Sequence, residues 1–250
     1  MKRLFLDLET SPNEVFSWRI GHNLDIGYDN ILKERRIICA AWGWEDRRRV
    51  ESLTWDANQD DKKLLTDLLP VLTEADEVVA HNGDRFDVPW LRARCLKHRI
   101  KPFPAFVVVD TLKLARKYFF FNSNALDYLA QFAGHPGKVE TGGFDLWKRV
   151  CYGDEKALTK MVRYCKGDVK ALQAMYKEIA SYCPQASHRA VLEGLSGWAC
   201  PRCASKDVQH AKLRITPMGI ERHQMVCLAC HGYYTISAKT YRSMLEELAR

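Results

Sequence analysis

Residues 3–9 of this 250-residue chain alternate without a break, with Leu4, Leu6 and Leu8 on one side and Phe5, Asp7 and Glu9 on the other. A period of two over that length predicts a β-strand with one face in a core. Asp7 and Glu9 stand at i and i+2, so their carboxylates leave the same face from Cα atoms roughly 6.5–7 Å apart. Two like charges on a strand withdrawn from water raise each other's pKa and cost stability. Such a pair belongs either on a half-exposed edge strand, where both acids are solvated, or around a divalent cation that offsets the repulsion.

The segments after this strand predict its surroundings. Residues 11–33 mix Pro, Gly, Asn and Asp with few periodic apolar positions and read as a long surface loop. Strands are expected at 36–44 and 50–55, joined by a basic turn that contains Arg47, Arg48 and Arg49. Leucines at helical spacing predict a helix over 60–73, followed by a strand at 77–80, a helix at 87–98 and an apolar strand at 106–109. Helices follow at 111–119, 124–132 and 145–151, and a long one spans 154–182. Strands first, then strands alternating with helices, predict an α/β domain with a mixed sheet flanked by helices. Residues 184–197, with Pro, Ser and Gly, read as a linker, which makes 1–183 one domain and 198–250 a second, smaller one.

The composition, 47% hydrophobic and 28% charged, is that of an ordinary globular chain. Its longest apolar runs are strand-sized and far short of the roughly 20 residues that span a bilayer. Met1-Lys2-Arg3 runs directly into the first strand, so neither a signal peptide nor a membrane partner is expected, and the location expected is the cytoplasm. A net charge of +7 favours a polyanionic partner. Residues 196–250 hold eight Lys/Arg against four Asp/Glu, so +4 of the +7 lies there.

Two further acidic elements lie downstream. His81-Asn82-Gly83-Asp84-Arg85-Phe86-Asp87 leaves the strand at 77–80 and opens a helix, which puts Asp87 at a strand end and near a helix N-terminus. Capping is an ordinary use for an aspartate in that position. In the long helix, Tyr164 and Asp168 are four residues apart and share a face that borders an apolar stripe. A tyrosine–aspartate hydrogen bond at a core margin would explain that pair alone.

In order and spacing, Asp7-x-Glu9, Asn82-x-x-x-Phe86-Asp87 and Tyr164-x-x-x-Asp168 resemble the three motifs of the DEDD exonucleases, which have the ribonuclease-H-like fold. The tyrosine marks the DEDDy branch, and Glu9-Thr10-Ser11-Pro12 is similar to a segment of phage-encoded and YprB-like exonucleases. The resemblance covers roughly residues 3–182 and extends to Asp110-Thr111-Leu112 ahead of a helix. It implies a 3′–5′ exonuclease acting by two Mg²⁺ or Mn²⁺ ions, with Asp7, Glu9, Asp87 and Asp168 as ligands. In that scheme Asp7, Glu9 and Asp168 hold the ion that activates water, Asp7 bridges to the second, and Asp87 holds the second through its water shell. Tyr164 orients the attacking water; a phenol of ordinary pKa, near 10, suits positioning better than proton abstraction. Thr10, His81, Asn82 and Phe86 lie beside these residues as candidate substrate contacts, although His81 equally suits a structural role. The implied substrate is a single strand with a free 3′ end, DNA placed slightly ahead of RNA, because the pocket contacts to a 2′-hydroxyl that separate the two leave no motif. Phe119-Phe120-Phe121 suits either base stacking or core packing.

Of the nine cysteines, Cys39, Cys95, Cys151, Cys165 and Cys183 are scattered singly and read as small buried hydrophobes. The other four form Cys200-x-x-Cys203 and Cys227-x-x-Cys230, with 23 residues between the pairs. Two such knuckles match a closed four-thiolate site for one structural Zn²⁺, and the segment resembles a zinc ribbon. So short a segment has little core of its own, so metal binding is expected to supply its folding energy. Its basic residues, among them Arg202, Lys206, Lys212, Arg214 and Arg222, suit a nucleic-acid grip, with a protein-docking role a close second. The alternative to an enzyme is a binding protein in which the ribbon acts and the nuclease fold serves as scaffold; four intact acids argue against it.

Overall fold

The computed structural model describes residues 1–21, 23–136 and 142–249. Strand β1 (Arg3–Thr10) realises the alternation of the sequence, with Leu4, Leu6 and Leu8 buried and Asp7 and Glu9 half-buried on the opposite face. It leads into a short antiparallel pair, β2 (Glu14–Val15) and β3 (Ile31–Lys33), and then into β4 (Ile37–Trp44) and β5 (Val50–Thr54). Helix α1 (Lys62–Glu74), β6 (Glu77–Ala80), α2 (Asp87–Lys97) and β7 (Val107–Asp110) follow. The five long strands form one mixed sheet in the order β5-β4-β1-β6-β7. β1 pairs antiparallel with β4 and parallel with β6, so the acidic strand lies at the centre, not at a solvated edge.

Next come α3 (Thr111–Tyr118), α4 (Leu126–Phe132), α5 (Asp145–Cys151) and the long α6 (Glu155–Ile179). One face of the sheet is covered by α1 and α2: Leu4, Leu6 and Leu8 cluster with Leu64, Leu65, Leu68, Leu72, Leu91 and Cys95. Each such fully buried leucine contributes about 1.5–3 kcal/mol, which fixes the register of β1 and with it the direction of Asp7 and Glu9. Over the acidic face runs α6, whose Cys165 Sγ donates to the Asp7 carbonyl at 3.4 Å and whose Gln173 Nε2 donates to the Trp44 carbonyl at 3.3 Å.

The chain divides into two compact units, one of Lys2–Lys113 with Phe121–Ala174, the other of Met1, Leu114–Phe120 and the chain from Met175 onward. The second unit carries the one-turn helix α7 (Arg189–Leu192), β8 (Val208–Ile215), β9 (Glu221–Cys227), β10 (Tyr233–Ser237) and α8 (Ala238–Leu248). Its three strands form an antiparallel sheet in the order β10-β9-β8. A small core of Ala190, Trp198, Ala199, Met225, Ile236 and Met244 lies beneath them. The Tyr234 hydroxyl donates to the Trp198 carbonyl at 2.6 Å. Glu247 on α8 accepts from Lys206 Nζ, Trp198 Nε1 and Ser196 Oγ, and these donors, Lys206 foremost, hold its carboxyl down to about 2.

The structure departs from the sequence reading in several places: residues 184–197 carry α7, with Ala190 in the small core, and Cys151 is only partly buried. Residues 11–33 are not irregular throughout, since β2 and β3 pair within them through Glu14↔Lys33 and Val15↔Ile31. Strands of two and three residues are too short to show a period, so composition suggests only a loop. The long helix ends at Ile179 and tightens into a 3₁₀ turn at Ala180–Tyr182, a common way for a last helical turn to satisfy its carbonyls. Among the described residues, no helix is long and apolar enough to cross a membrane.

Candidate functional site

The acidic face of β1 meets α6 at a single point. Ligand oxygens of Asp7, Glu9 and Asp168 all lie within 4.8 Å of one another. Asp168 is 4% exposed, so its charge is held largely away from water. Three like charges this close repel strongly in a partly dry site, and a divalent cation among them turns the repulsion into attraction. An all-oxygen donor set of three carboxylates suits a hard cation. Tyr164 stands one turn before Asp168 on α6, with Trp147 of α5 edge-on to its ring at a centroid distance of 6.2 Å.

Asp87 comes from the other covering layer. The β1–β6 ladder pairs Arg3, Leu4 and Phe5 with Glu77, Val78 and Val79 and goes no further. Beyond it Asp87, the first residue of α2, takes over, and its Oδ1 accepts the Leu8 backbone N–H at 3.1 Å. The carboxylate therefore reaches across to β1 between Asp7 and Glu9. Burial pushes the Asp87 carboxyl well above the usual carboxylate range, and the negative charge of Asp7 pushes it further.

The loop between β6 and α2 is built to deliver that carboxylate. Asn82 adopts a left-handed backbone (φ 69°), which asparagine tolerates better than most residues. Its carbonyl accepts the N–H groups of Arg85 and Phe86. A Cβ at Gly83 would lie 2.6 Å from the Ala80 Cβ, so the turn leaves no room there for a side chain. Asp110, buried at the end of β7, braces the loop by accepting from the backbone N–H groups of Asn82 (3.1 Å), Leu112 (3.0 Å) and Lys113 (3.3 Å). The sequence contains Asp110 beside Thr111, but its bracing role depends on β6 and β7 being neighbours, which no local pattern reveals.

Thr10 is buried at the end of β1, opposite Ile37 of β4. Phe86 packs against the leucine-rich cluster. The His81 ring spans Thr111 Oγ1 through Nδ1 and the Asn124 carbonyl through Nε2, each at 3.0 Å. A carbonyl only accepts, so Nε2 carries a proton and the ring ties β6 to the start of α3 and the approach to α4.

A third group of possible ligands, Asp60, Asp61 and His98, also converges. Here the charge is already met: Arg94 donates to both Asp61 oxygens at 2.8 Å, His98 Nε2 lies 2.6 Å from Oδ1, and the Ile37 N–H donates at 2.9 Å. This is an internal ion pair that ties α1, α2 and β4 together.

In the second unit the Sγ atoms of Cys200, Cys203, Cys227 and Cys230 lie within 4.8 Å of one another. The pairs Cys200–Cys230 and Cys203–Cys227 are each 3.6 Å apart. A disulfide would need about 2.05 Å, whereas thiolates at about 2.3 Å from a tetrahedral ion are about 3.8 Å apart along each edge. Backbone N–H groups also point at the sulfurs, those of Arg202 and Cys203 at Cys200 and those of Ala229 and Cys230 at Cys227. N–H donors of this kind favour thiolates. At Cys227 burial is outweighed by them and by the neighbouring cysteines, which together lower the thiol, whereas at Cys200 burial dominates and raises it. The residue after each knuckle, Ala204 (φ 63°) or His231 (φ 56°), is left-handed, so the two turns have the same form. Both this group and the acidic one fit a divalent metal.

A five-stranded mixed sheet between helices, with an acidic cluster at the middle strand, defines the ribonuclease-H-like fold. The RNase_H superfamily model matches residues 4–180, and the chain belongs to this nuclease superfamily. Among solved structures, the family B DNA polymerase from the hyperthermophilic archaeon Pyrobaculum calidifontis is similar, with a TM-score of 0.56 at 15% sequence identity. That likeness, one of fold, covers 72% of this chain and 24% of the polymerase chain. No curated protein matches the chain.

Proposed function

We propose that this chain is a metal-dependent 3′–5′ exonuclease of the DEDDy kind, acting on single-stranded nucleic acid. The observation that supports this reading above all is the convergence of Asp7, Glu9 and Asp168 on one point, with Asp87 hydrogen-bonded to the strand segment between the first two. Asp7, Glu9 and Asp168 would hold one Mg²⁺ or Mn²⁺, and Asp7 with Asp87 a second. When bound, such a pair of ions supplies a nucleophile at neutral pH and stabilises charge on the leaving 3′ oxygen. The protein's own task is placement. α6 sets Asp168 against β1, and the Tyr164 hydroxyl one turn away would orient the attacking water. Asn82 would line the approach of the terminal nucleotide, with His81 supporting the loop from behind, while Thr10 and Phe86 would act by holding the end of β1 and the loop in place. The four cysteines would hold one structural Zn²⁺ in a ribbon, with residues 1–183 as the nuclease domain and 184–197 as the connection. The basic surface of the ribbon would add grip on the substrate.

The test uses 5′-labelled single-stranded DNA and RNA incubated with Mg²⁺, Mn²⁺ or chelator. The expected result is a ladder of shortened labelled products that requires metal and is absent with Asp7→Asn or Asp168→Asn. Internal cuts without a ladder, or turnover retained by either variant, would overturn the reading.

A further inference from the structure

Helix α2 and the segment after it enclose a cavity of about 700 Å³ on the first unit. Cys95 lies at its floor, and Leu96, Ile100, Phe103 and Phe106 form its walls. Leu96 is 81% exposed although its helix neighbour Cys95 belongs to the core. An exposed leucine beside an apolar hollow marks a surface that gains by being covered. The volume falls within the range of pockets that bury several side chains or a drug-sized ligand.

The rim is charged with one sign only. Arg92, Arg99 and Lys101 border the cavity, and among the described residues no carboxylate lines it. Among the described residues, none of these three cations forms an ion pair. Three uncompensated positive charges around an apolar hollow select a ligand that is apolar where it enters and negative where it leaves. Nucleic acid suits the charge but not the walls. Phe103 and Phe106 are stacked on each other, with centroids 5.5 Å apart and planes within 6°, so each has spent a face that a base would need. The other walls are aliphatic.

We propose that this groove docks a short peptide segment of a partner protein that carries bulky hydrophobic side chains flanked by carboxylates. The hydrophobic side chains fill the hollow over Cys95, and the carboxylates face Arg92, Arg99 and Lys101. The proposal is independent of the nuclease reading, because the groove shares no residue with the acidic cluster.

The test measures fluorescence anisotropy of the full chain with a fluorescein-labelled Glu-Asp-Asp-Leu-Asp-Phe peptide. Controls are a serine analogue lacking Leu and Phe, a lysine analogue lacking the acids, and a labelled oligothymidylate. Saturable binding of the acidic peptide in the micromolar range is expected, with both analogues weaker by about tenfold or more. Arg92→Glu combined with Lys101→Glu, and separately Leu96→Glu, should each weaken the acidic peptide about tenfold with unchanged melting temperature, all three residues being exposed. Absence of saturable binding up to about 1 mM, equal binding of the serine analogue, or displacement of the peptide by oligothymidylate would overturn the proposal.

Discussion

At Asp87 a single side chain meets two demands. It supplies the hydrogen bond that β1 lacks where its ladder with β6 ends, and it does so as a buried acid beside Asp7. Burial first, and the Asp7 charge second, raise its carboxyl in the folded state. A raised folded pKa means the native state holds the proton more tightly than the unfolded chain. The acid therefore costs nothing below about pH 4, and its cost to stability grows as pH rises from there toward the folded value. Asp87→Asn keeps an acceptor for Leu8 and removes the charge. Urea titrations in chelator should show the variant as stable as the parent or more so, with a flatter pH dependence over that window. Its metal-dependent cleavage should fall by more than about 100-fold, since even groups that only orient metal ligands cost 10–100-fold. A variant that lost stability and kept its activity would make Asp87 a structural residue. The faces on which Asp7, Glu9 and Asp168 stand were legible in the sequence because strand and helix periods assign them locally, whereas grouping them with Asp87 as one site came from the resemblance of the three motifs. The roles of Asp87 toward Leu8 and of Asp110 toward Asn82 were not legible, because both span neighbours that exist only once the sheet forms.

Among elements, the local periods of β1, α1 and α6 and the unbroken apolar run of β4, buried at every position, announced the fold. What the periods left out is the polar fastening between layers. Asp61 precedes α1 and reads in sequence as part of the helix start, yet its side chain makes no cap there. It is fully buried and engages Arg94 of α2, the Ile37 N–H of β4 and His98. Burial alone would raise its carboxyl, but these donors, Arg94 foremost, outweigh it and hold the carboxyl below its ordinary value. The stabilisation is therefore present above the unfolded pKa of about 3.9 and lost as pH falls through the lower folded value. Arg94→Ala leaves that charge buried without its main counter-ion and should destabilise the chain by about 3–5 kcal/mol at pH 7 in chemical denaturation. Replacing Asp61 as well, by Asn, should recover part of the loss. A loss under about 1 kcal/mol, the range of exposed pairs, would show that the pair is solvated in solution.

Across the whole molecule, two units rely on different sources of stability. The sheet unit has the large leucine-rich cluster of β1, α1 and α2, whereas the part of the second unit that carries the cysteines packs on a small cluster around Trp198. A core that small supplies only a few kcal/mol before chain entropy is counted. Four thiols held at metal-site spacing point to the missing contribution, because zinc binding in small domains is itself folding free energy, about 10–16 kcal/mol in finger peptides. The metal-loaded chain should therefore contain one zinc and show two calorimetric transitions. Dialysis against a strong chelator, or Cys227→Ser, should lower the transition of the second unit by more than about 10 °C, given that 1 kcal/mol shifts a small domain by about 4–8 °C. The sheet transition should stay in place in both experiments. Should both transitions move together, the two cores would unfold as one, and the cysteine site would be stabilising the nuclease fold itself.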